Sequence, residues 1–288
     1  MKVDFGKKES KANSIRLQSP YKTKDDILLS LLEQIHPINF VKLQYPNLSD
    51  EEQKEKKISR SEMRVLILSE ILKMAQSNNW ALCKQGGFCY LYNGAYWETL
   101  NEDYLKHFLS GCAVKMGVKE TIAEDYKFAK ELYEQFLFSA HLQPPEYDNG
   151  TVLINLKNGT FRITTQKQEL VPFTKTDFLT YQLPFEYDDK AVCPIFNKYL
   201  DRVLPDKSSQ AVLAEYAGYL FIRHRNGLKF EKCLILHGSG ANGKSVFFEI
   251  MTELLGCENV STYTLSDLTS RIRQYHLPEV WNCYRIEC

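Results

Sequence analysis

Hydrophobic positions in the first half of the chain recur mainly at helical spacing. Residues 25–44, DDILLSLLEQIHPINFVKLQ, predict an amphipathic helix that ends near its proline. The run MRVLILSEILKMAQSNNW resumes the helical pattern after a stretch of mixed charges that is typical of a solvated linker or a helix start. Residues 101–142 predict two more helices. The first is capped by Asn101 and ends at Gly117, and the second ends before a pair of prolines.

Alternating patterns predict β-hairpins in two places. Residues 86–100, GGFCYLYNGAYWETL, place Asn93-Gly94 between two aromatic runs, and TVLINLKNGTFRI places Asn158-Gly159 at a second tip. The stretches QELVPFT and FLTYQLPFEYD extend a small antiparallel sheet to about residue 188. The aromatic residues of the first hairpin leave two interpretations open: they pack a small sheet, or they stack on the bases of single-stranded nucleic acid.

The pattern changes to helices, a strand and a helix after residue 190. Residues 191–222 predict a helical pair, opened by Cys193-Pro194 and continued after a capping Asp206. Residues 233–236 form a short apolar run that predicts a buried parallel strand. The run KSVFFEIMTELL then predicts a helix that ends at Gly256.

Charge and composition narrow the possible partners. The chain of 288 residues carries 36 basic and 36 acidic residues, so any contact with nucleic acid depends on a local patch. The segment RHRNGLKFEK, residues 223–232, is one such patch or simply a solvated loop. Neither a secretory signal nor a run of about 20 apolar residues is present, so we expect a soluble, cytoplasmic protein with no membrane contact.

The eight cysteines do not have the spacing of a metal site. None forms a C-x-x-C pair, and no histidine pair has ligand spacing. We therefore expect buried free thiols rather than a zinc site.

The octet GSGANGKS matches the phosphate-loop pattern G-x-x-x-x-G-K-[ST]. Its glycines let backbone N–H groups wrap a polyphosphate closely. Lys244 supplies a charge for the β- and γ-phosphates of ATP and is the candidate catalytic residue, Ser245 offers a hydroxyl to Mg²⁺, and the following helix directs its N-terminus at the same anion. The candidate nucleotide-binding residues are Gly238, Ser239, Gly240, Ala241, Asn242, Gly243, Lys244 and Ser245.

The surroundings of this octet resemble a family of replication proteins. The stretches LINLKNGTFRI, DFLTYQLPFEYDDKAVCPIF, LAEYAGYLF and CLILHGSGANGKSVFFEIMTELLG are similar to phage and plasmid primase–helicases, which include satellite-phage and poxvirus members. The resemblance runs from about residue 86 to about 268. It implies an ATPase of helicase superfamily 3 that forms rings, usually hexamers, and moves on single-stranded DNA.

The resemblance also implies a domain order. We expect a flexible tail at 1–24, a helical region with a charged linker at 25–85, an accessory domain at 86–225 and a P-loop ATPase region at 226–288. The fold class is then an α+β accessory domain, with helices and a small antiparallel sheet, followed by the start of an α/β P-loop NTPase domain. The region ahead of the accessory domain is too short for a primase module, so we expect no primer synthesis.

The motor motifs after the phosphate loop are harder to place. The resemblance implies a metal-orienting acid some forty residues past Lys244, and the candidates are Glu258, Asp267, Glu279 and Glu287. Arg271 and Arg273 come too early for an arginine finger. We therefore expect an ATPase region truncated at its second motif. Two functions stay open, a replication helicase ATPase and a non-catalytic nucleotide-binding or oligomerisation module, whereas a small-molecule kinase fits the preceding domain poorly.

Overall fold

The computed structural model of the chain describes residues 22–143, 150–222, 232–240, 242–264 and 284–287. The predicted tail at 1–24 lies outside these residues except for its last three. The first helix of the structure begins at Lys24, within the range predicted for the tail.

Four helices form the first part of the fold: α1 Lys24–Gln34, α2 Phe40–Gln44, α3 Asp50–Glu55 and α4 Arg60–Ser77. Hydroxyl and carboxylate side chains fix three of their starts. Thr23, Ser49 and Ser59 each accept a hydrogen bond from the backbone N–H three residues on, and the acidic residue there bonds back to the cap. Helix α1 ends ahead of the proline as predicted, and the charged linker contains α3 and the start of α4.

A three-stranded antiparallel sheet follows, with the order β1 Ala81–Gln85, β2 Phe88–Tyr92 and β3 Trp97–Leu100. The predicted hairpin is confirmed: the Asn93 side-chain oxygen accepts from the N–H groups of Ala95 and Tyr96 at 2.9 and 3.0 Å. Strand β1 was missed, because its sequence ALCKQ does not alternate between apolar and polar residues. The turn between β1 and β2 contains Gly86 and Gly87, both with positive φ.

The next helices are α5 Glu102–Lys115, α6 Glu120–Ala123 and α7 Tyr126–Ser139. Asn101 caps α5 as predicted, accepting from two backbone N–H groups. The second predicted helix is divided, because Asp125 ends the short α6 and caps α7 through the N–H of Phe128. One hydrophobic core joins α1 and α4 to α5 and α7, which lie on either side of the domain boundary predicted at residue 85. Its fully buried side chains include Ile27, Leu31, Ile67, Leu105, Phe128 and Phe136.

A second antiparallel sheet has the order β4 Val152–Leu156, β5 Gly159–Ile163 and β6 Gln168–Val171. The second hairpin is confirmed, but its tip is one residue earlier than predicted, at Lys157-Asn158. Gly159 is the first residue of β5. A Cβ on Gly159 would lie 2.7 Å from the carbonyl oxygen of Val171, so the neighbouring strand leaves no room for a side chain.

The prediction that QELVPFT extends this sheet is confirmed by β6, but the predicted continuation of the sheet to about residue 188 is wrong. A 3₁₀ turn, Lys175–Asp177, ends with Phe178 in the left-handed region, which breaks any strand there. The segment 178–185 then forms a backbone hydrogen bond with the first sheet, followed by backbone hydrogen bonds with the second sheet. The Leu179 carbonyl accepts from the N–H of Trp97 at 2.7 Å, and the Leu183 N–H donates to the Asn155 carbonyl at 2.8 Å. This segment joins the sheets without being a strand of either.

The remaining elements are helices α8 Pro194–Val203, α9 Lys207–Tyr219 and α10 Lys244–Leu255, and the parallel strand pair β7 Ser261–Thr264 and β8 Tyr284–Glu287. Pro194 opens α8 and Asp206 caps α9, as predicted. Helix α10 packs on the α8–α9 pair through Leu213 and Phe247. Its last residue, Leu255, joins the core beneath the β4–β5–β6 sheet. The apolar elements therefore hold α10 between the helical pair and this sheet.

The apolar run at 233–236 is not the buried strand that its sequence predicts. No ladder includes it among the described residues, and Ile235 is 81% exposed. A parallel strand is stabilised by neighbours on its edges, and no described strand pairs with this run. Strand β8, in contrast, forms although its sequence WNCYRIEC favours a buried strand poorly. The described elements thus form an α+β structure of helices and small antiparallel sheets.

The expectation of buried free thiols holds for three of the six described cysteines. Cys83, Cys89 and Cys112 are buried and free, whereas Cys193, Cys233 and Cys257 are free but exposed. No group of three or more potential ligands that could hold a metal ion occurs in the part of the chain that the structure describes.

Thiol alkylation should separate these two groups. Burial raises the pKa of Cys83 to about 12, and it also raises the pKa values of Cys89 and Cys112. At pH 8 we expect the three exposed thiols to react with iodoacetamide within minutes and the buried three to react only after unfolding, measured by peptide mass spectrometry. Because the folded pKa of Cys83 exceeds its unfolded value of about 8.5, its contribution to stability is present below that pH and is lost as pH rises toward 12. Rapid native labelling of Cys83 would contradict the described packing.

Candidate functional site

The octet that begins at Gly238 forms a loop that leads directly into α10. All of its residues except Ala241 are described. Gly243 is the N-cap of α10 with φ of +85°, and no side chain caps this helix. Its first-turn N–H groups therefore have no side-chain acceptor, unlike those of α1, α4 or α5. An uncapped helix N-terminus of this kind is a ready binding place for an anion.

Lys244, the first residue of α10, is folded back over the loop. Its ammonium group donates to the Gly238 carbonyl at 2.9 Å and to the Asn242 side-chain oxygen at 2.7 Å. Both acceptors are neutral, and no carboxylate pairs with this lysine among the described residues. The positive charge is thus held at the mouth of the loop by groups that an anion can replace. Ser245 is exposed beside it.

The glycines of the loop differ in what their surroundings require. A Cβ on Gly238 would lie 2.1 Å from the Asn242 side-chain nitrogen, and one on Gly243 would lie 2.9 Å from a Val203 methyl group. A Cβ on Gly240 would meet no atom within 4 Å. The prediction that all three glycines are needed for close approach therefore has a steric basis within the chain at the first and last positions.

Helix α8 supports the loop from below through a residue that sequence reasoning missed. The Tyr199 hydroxyl donates to the Gly243 carbonyl at 2.7 Å, and burial raises the pKa of this tyrosine. The available signal is the apolar spacing of Phe196, Tyr199, Leu200 and Val203 at i, i+3, i+4 and i+7, which marks the inner face of α8. That spacing does not reveal which partner the face meets.

A cavity of about 370 Å³ opens beside the loop. It is lined by apolar side chains of α8, α9 and the run that precedes the loop, and by Asn242, Gly243 and Lys244. Ser208 and Ser209, from the first turn of α9, also line it. The positive charge of Lys244 therefore lies next to a largely apolar cavity.

The acidic candidates are placed only in part. Glu258 lies in the 3₁₀ turn Cys257–Asn259, after the last residue of α10 and thus at the opposite end of that helix from Lys244. Glu287 ends β8, a strand parallel to β7. Asp267, Glu279, Arg271 and Arg273 lie outside the described residues.

Two features of the sequence are candidates for contact with nucleic acid: the aromatic residues of the first hairpin and the basic patch at 223–232. Two of the five aromatic residues of the first hairpin, Tyr92 and Trp97, are buried, and Trp97 stacks on Phe178 with ring centroids 5.2 Å apart, whereas Phe88 is 61% exposed. The structure thus favours sheet packing over base stacking for these two rings. The basic patch lies outside the described residues except for Lys232, whose backbone N–H donates to the Tyr219 hydroxyl.

Comparison with known families finds a similarity over part of the chain. Residues 68–205 match the family model described as D5 N terminal like. Domains of this kind are found in phage and viral primase–helicase proteins, which supports the resemblance seen in the sequence. The match runs from within α4 to the second residue after α8 and does not include the loop at 238–245.

No curated protein has a significant sequence match to the chain. Among the described residues, every helix is too short or too polar to span a lipid bilayer.

Proposed function

We propose that this chain is an ATP-binding protein of phage or plasmid DNA replication, with residues 238–245 as its phosphate loop. The observation that carries the proposal is the arrangement of Lys244 over an uncapped helix N-terminus, with only neutral partners at 2.7 and 2.9 Å. A polyphosphate would replace these partners, accept from the first-turn N–H groups and gain the full charge of the lysine. The D5 N-terminal-like match supports a role in replication.

Ser245 is the residue that would hold Mg²⁺ with the nucleotide. It is exposed at the second position of α10, next to the lysine. Magnesium keeps several waters and takes most of its other ligands from phosphates, so a single hydroxyl fits its needs. When bound, the ion neutralises charge on the β- and γ-phosphates.

Two activities follow from this site, and Glu287 separates them. If its carboxylate lies near the bound metal, the chain is the ATPase of a superfamily 3 helicase, acting on single-stranded DNA as a ring of copies. The second candidate is a nucleotide-binding module without turnover. It is favoured by the position of Glu258, an acidic candidate whose place is described, at the opposite end of α10 from Lys244.

The test is titration of the whole chain with ATP and Mg²⁺ by calorimetry, followed by phosphate release with and without single-stranded DNA. We expect micromolar ATP binding that weakens about 10- to 100-fold in Lys244→Ala, because one charge-assisted contact is lost. Lys198→Ala is the matched control, since this lysine is exposed on α8 and lies outside the loop. Binding that is equal in both variants would refute the phosphate loop.

Turnover distinguishes the two activities once binding is established. Phosphate release that single-stranded DNA stimulates and Lys244→Ala removes supports the helicase ATPase. Binding without release supports the non-catalytic module. Sedimentation with and without nucleotide then tests the proposed ring, for which we expect a hexamer only in the first case.

A further inference from the structure

The cavity beside the loop has the properties of a nucleobase site. Its volume of about 370 Å³ falls within the range of about 300–1,000 Å³ that small-ligand sites occupy. Lys244 and Asn242 line it together with apolar side chains such as Leu204, Leu213 and Phe247. A nucleotide has the same division, with charged phosphates at one end and a flat, largely apolar base at the other.

Two serines of α9 give this cavity a preference for ligands that donate hydrogen bonds. The hydroxyls of Ser208 and Ser209 donate to the same carboxylate oxygen of Asp206 at 2.7 and 2.6 Å. Each hydroxyl has one proton, so both serines can offer a ligand only acceptor capacity. The same bonds hold the pKa of Asp206 well below its usual range, which keeps its carboxylate ionised and the hydroxyls oriented toward it.

We propose that this cavity seats the base of the bound nucleotide and that Ser208 and Ser209 accept hydrogen bonds from an amino group on that base. The inference rests on the proposed phosphate loop. It names adenine-type bases, which carry an exocyclic amino donor, as the preferred ligand class. The apolar walls supply affinity, and the oriented hydroxyls supply the preference.

Filling the cavity tests the base site. Val212 lines the cavity and is 57% exposed, so Val212→Trp fills space at little cost to folding. We expect wild type to bind ATP at least about tenfold more tightly than inorganic tripolyphosphate, both with Mg²⁺. In Val212→Trp, ATP affinity should fall to the tripolyphosphate value while tripolyphosphate affinity stays within twofold. Val192→Trp is the control, because Val192 is 85% exposed and does not line the cavity.

The outcomes separate the two proposals. If Val212→Trp folds like wild type and binds ATP equally well, the cavity is not the base site, although the phosphate loop stands. If wild type binds neither ATP nor tripolyphosphate, the phosphate loop fails and the base site fails with it. Thermal unfolding of each variant shows whether the fold is retained.

The serine contacts have their own test. Purine riboside triphosphate lacks the amino group of ATP but keeps its shape and charge. Wild type should prefer ATP by about two- to tenfold, the usual worth of one hydrogen bond. The double variant Ser208→Ala, Ser209→Ala should lose this preference. Equal binding of the two ligands by wild type, or a preference that survives in the double variant, would overturn the serine assignment.

Discussion

Alanine at position 238 is expected to abolish nucleotide binding while leaving every charge of the loop in place. The new Cβ would stand 2.1 Å from the Asn242 side-chain nitrogen, a separation that no packing tolerates. Asn242 must move, and its displaced side chain then obstructs the mouth of the loop beside Lys244, where the phosphates would bind. We expect the affinity for ATP with Mg²⁺, measured by calorimetry, to fall at least about 100-fold, or roughly 3 kcal/mol, because the phosphates no longer reach both Lys244 and the helix N-terminus.

Gly218→Ala is the matched control for this change. It receives the same methyl group in α9, outside the loop, and the methyl group meets no atom within 4 Å. We expect its ATP affinity to stay within about threefold of wild type, since no contact is broken. If both alanine variants lose binding equally, a general effect of the added methyl group, rather than the collision with Asn242, would explain the loss.

Replacing Asn155 with alanine should cause the largest loss of stability at a single polar residue. Asn155 is fully buried in β4, and its amide donates to the carbonyls of Ala95 and Tyr181 at 3.1 and 2.8 Å. Those carbonyls belong to the first sheet's hairpin and to the segment that joins the two sheets. Alanine leaves both acceptors buried without this donor, so we expect the free energy of unfolding to fall by about 2–4 kcal/mol.

The β4–β5 hairpin, which contains Asn155, offers a control of the same residue type. The Asn158 side chain also bonds to backbone, with Tyr187, but it is exposed. Water replaces its contacts, so Asn158→Ala should cost less than about 1 kcal/mol. Both values come from urea unfolding followed by circular dichroism. A loss at Asn155 no larger than the loss at Asn158 would show that the two sheets do not depend on this link.

Local chemistry explains what could be predicted. Capping by Asn101 and Asp206 fixes α5 and α9, and the tip residues near Asn93 and Asn158 fix two hairpins, because each depends on neighbours within a few residues. The octet also belongs to this class, since its glycines, lysine and serine are adjacent in the chain. The D5 N-terminal-like match supports the resemblance that the ordered stretches indicated.

Long-range partners explain what could not be predicted. Strand β1, with the sequence ALCKQ, has no alternating pattern and is recognisable only by its pairing with β2. The alternating stretch after residue 178 has a strand's pattern, but it bonds to two sheets in turn. The run at 233–236 has the composition of a buried strand and yet lies exposed, because burial needs neighbours that composition does not supply.

The sequence by itself determined the helices with their caps, the hairpins and the identity of the candidate phosphate residues, because hydrogen bonds between near neighbours specify all of these. The tertiary structure alone decided that there are two sheets joined by Asn155, that Tyr199 lies beneath the loop and that an apolar cavity opens beside Lys244. These features need residues from distant parts of the chain to meet. Side-chain packing decides which of the apolar faces meet, and a linear pattern shows only that such faces exist.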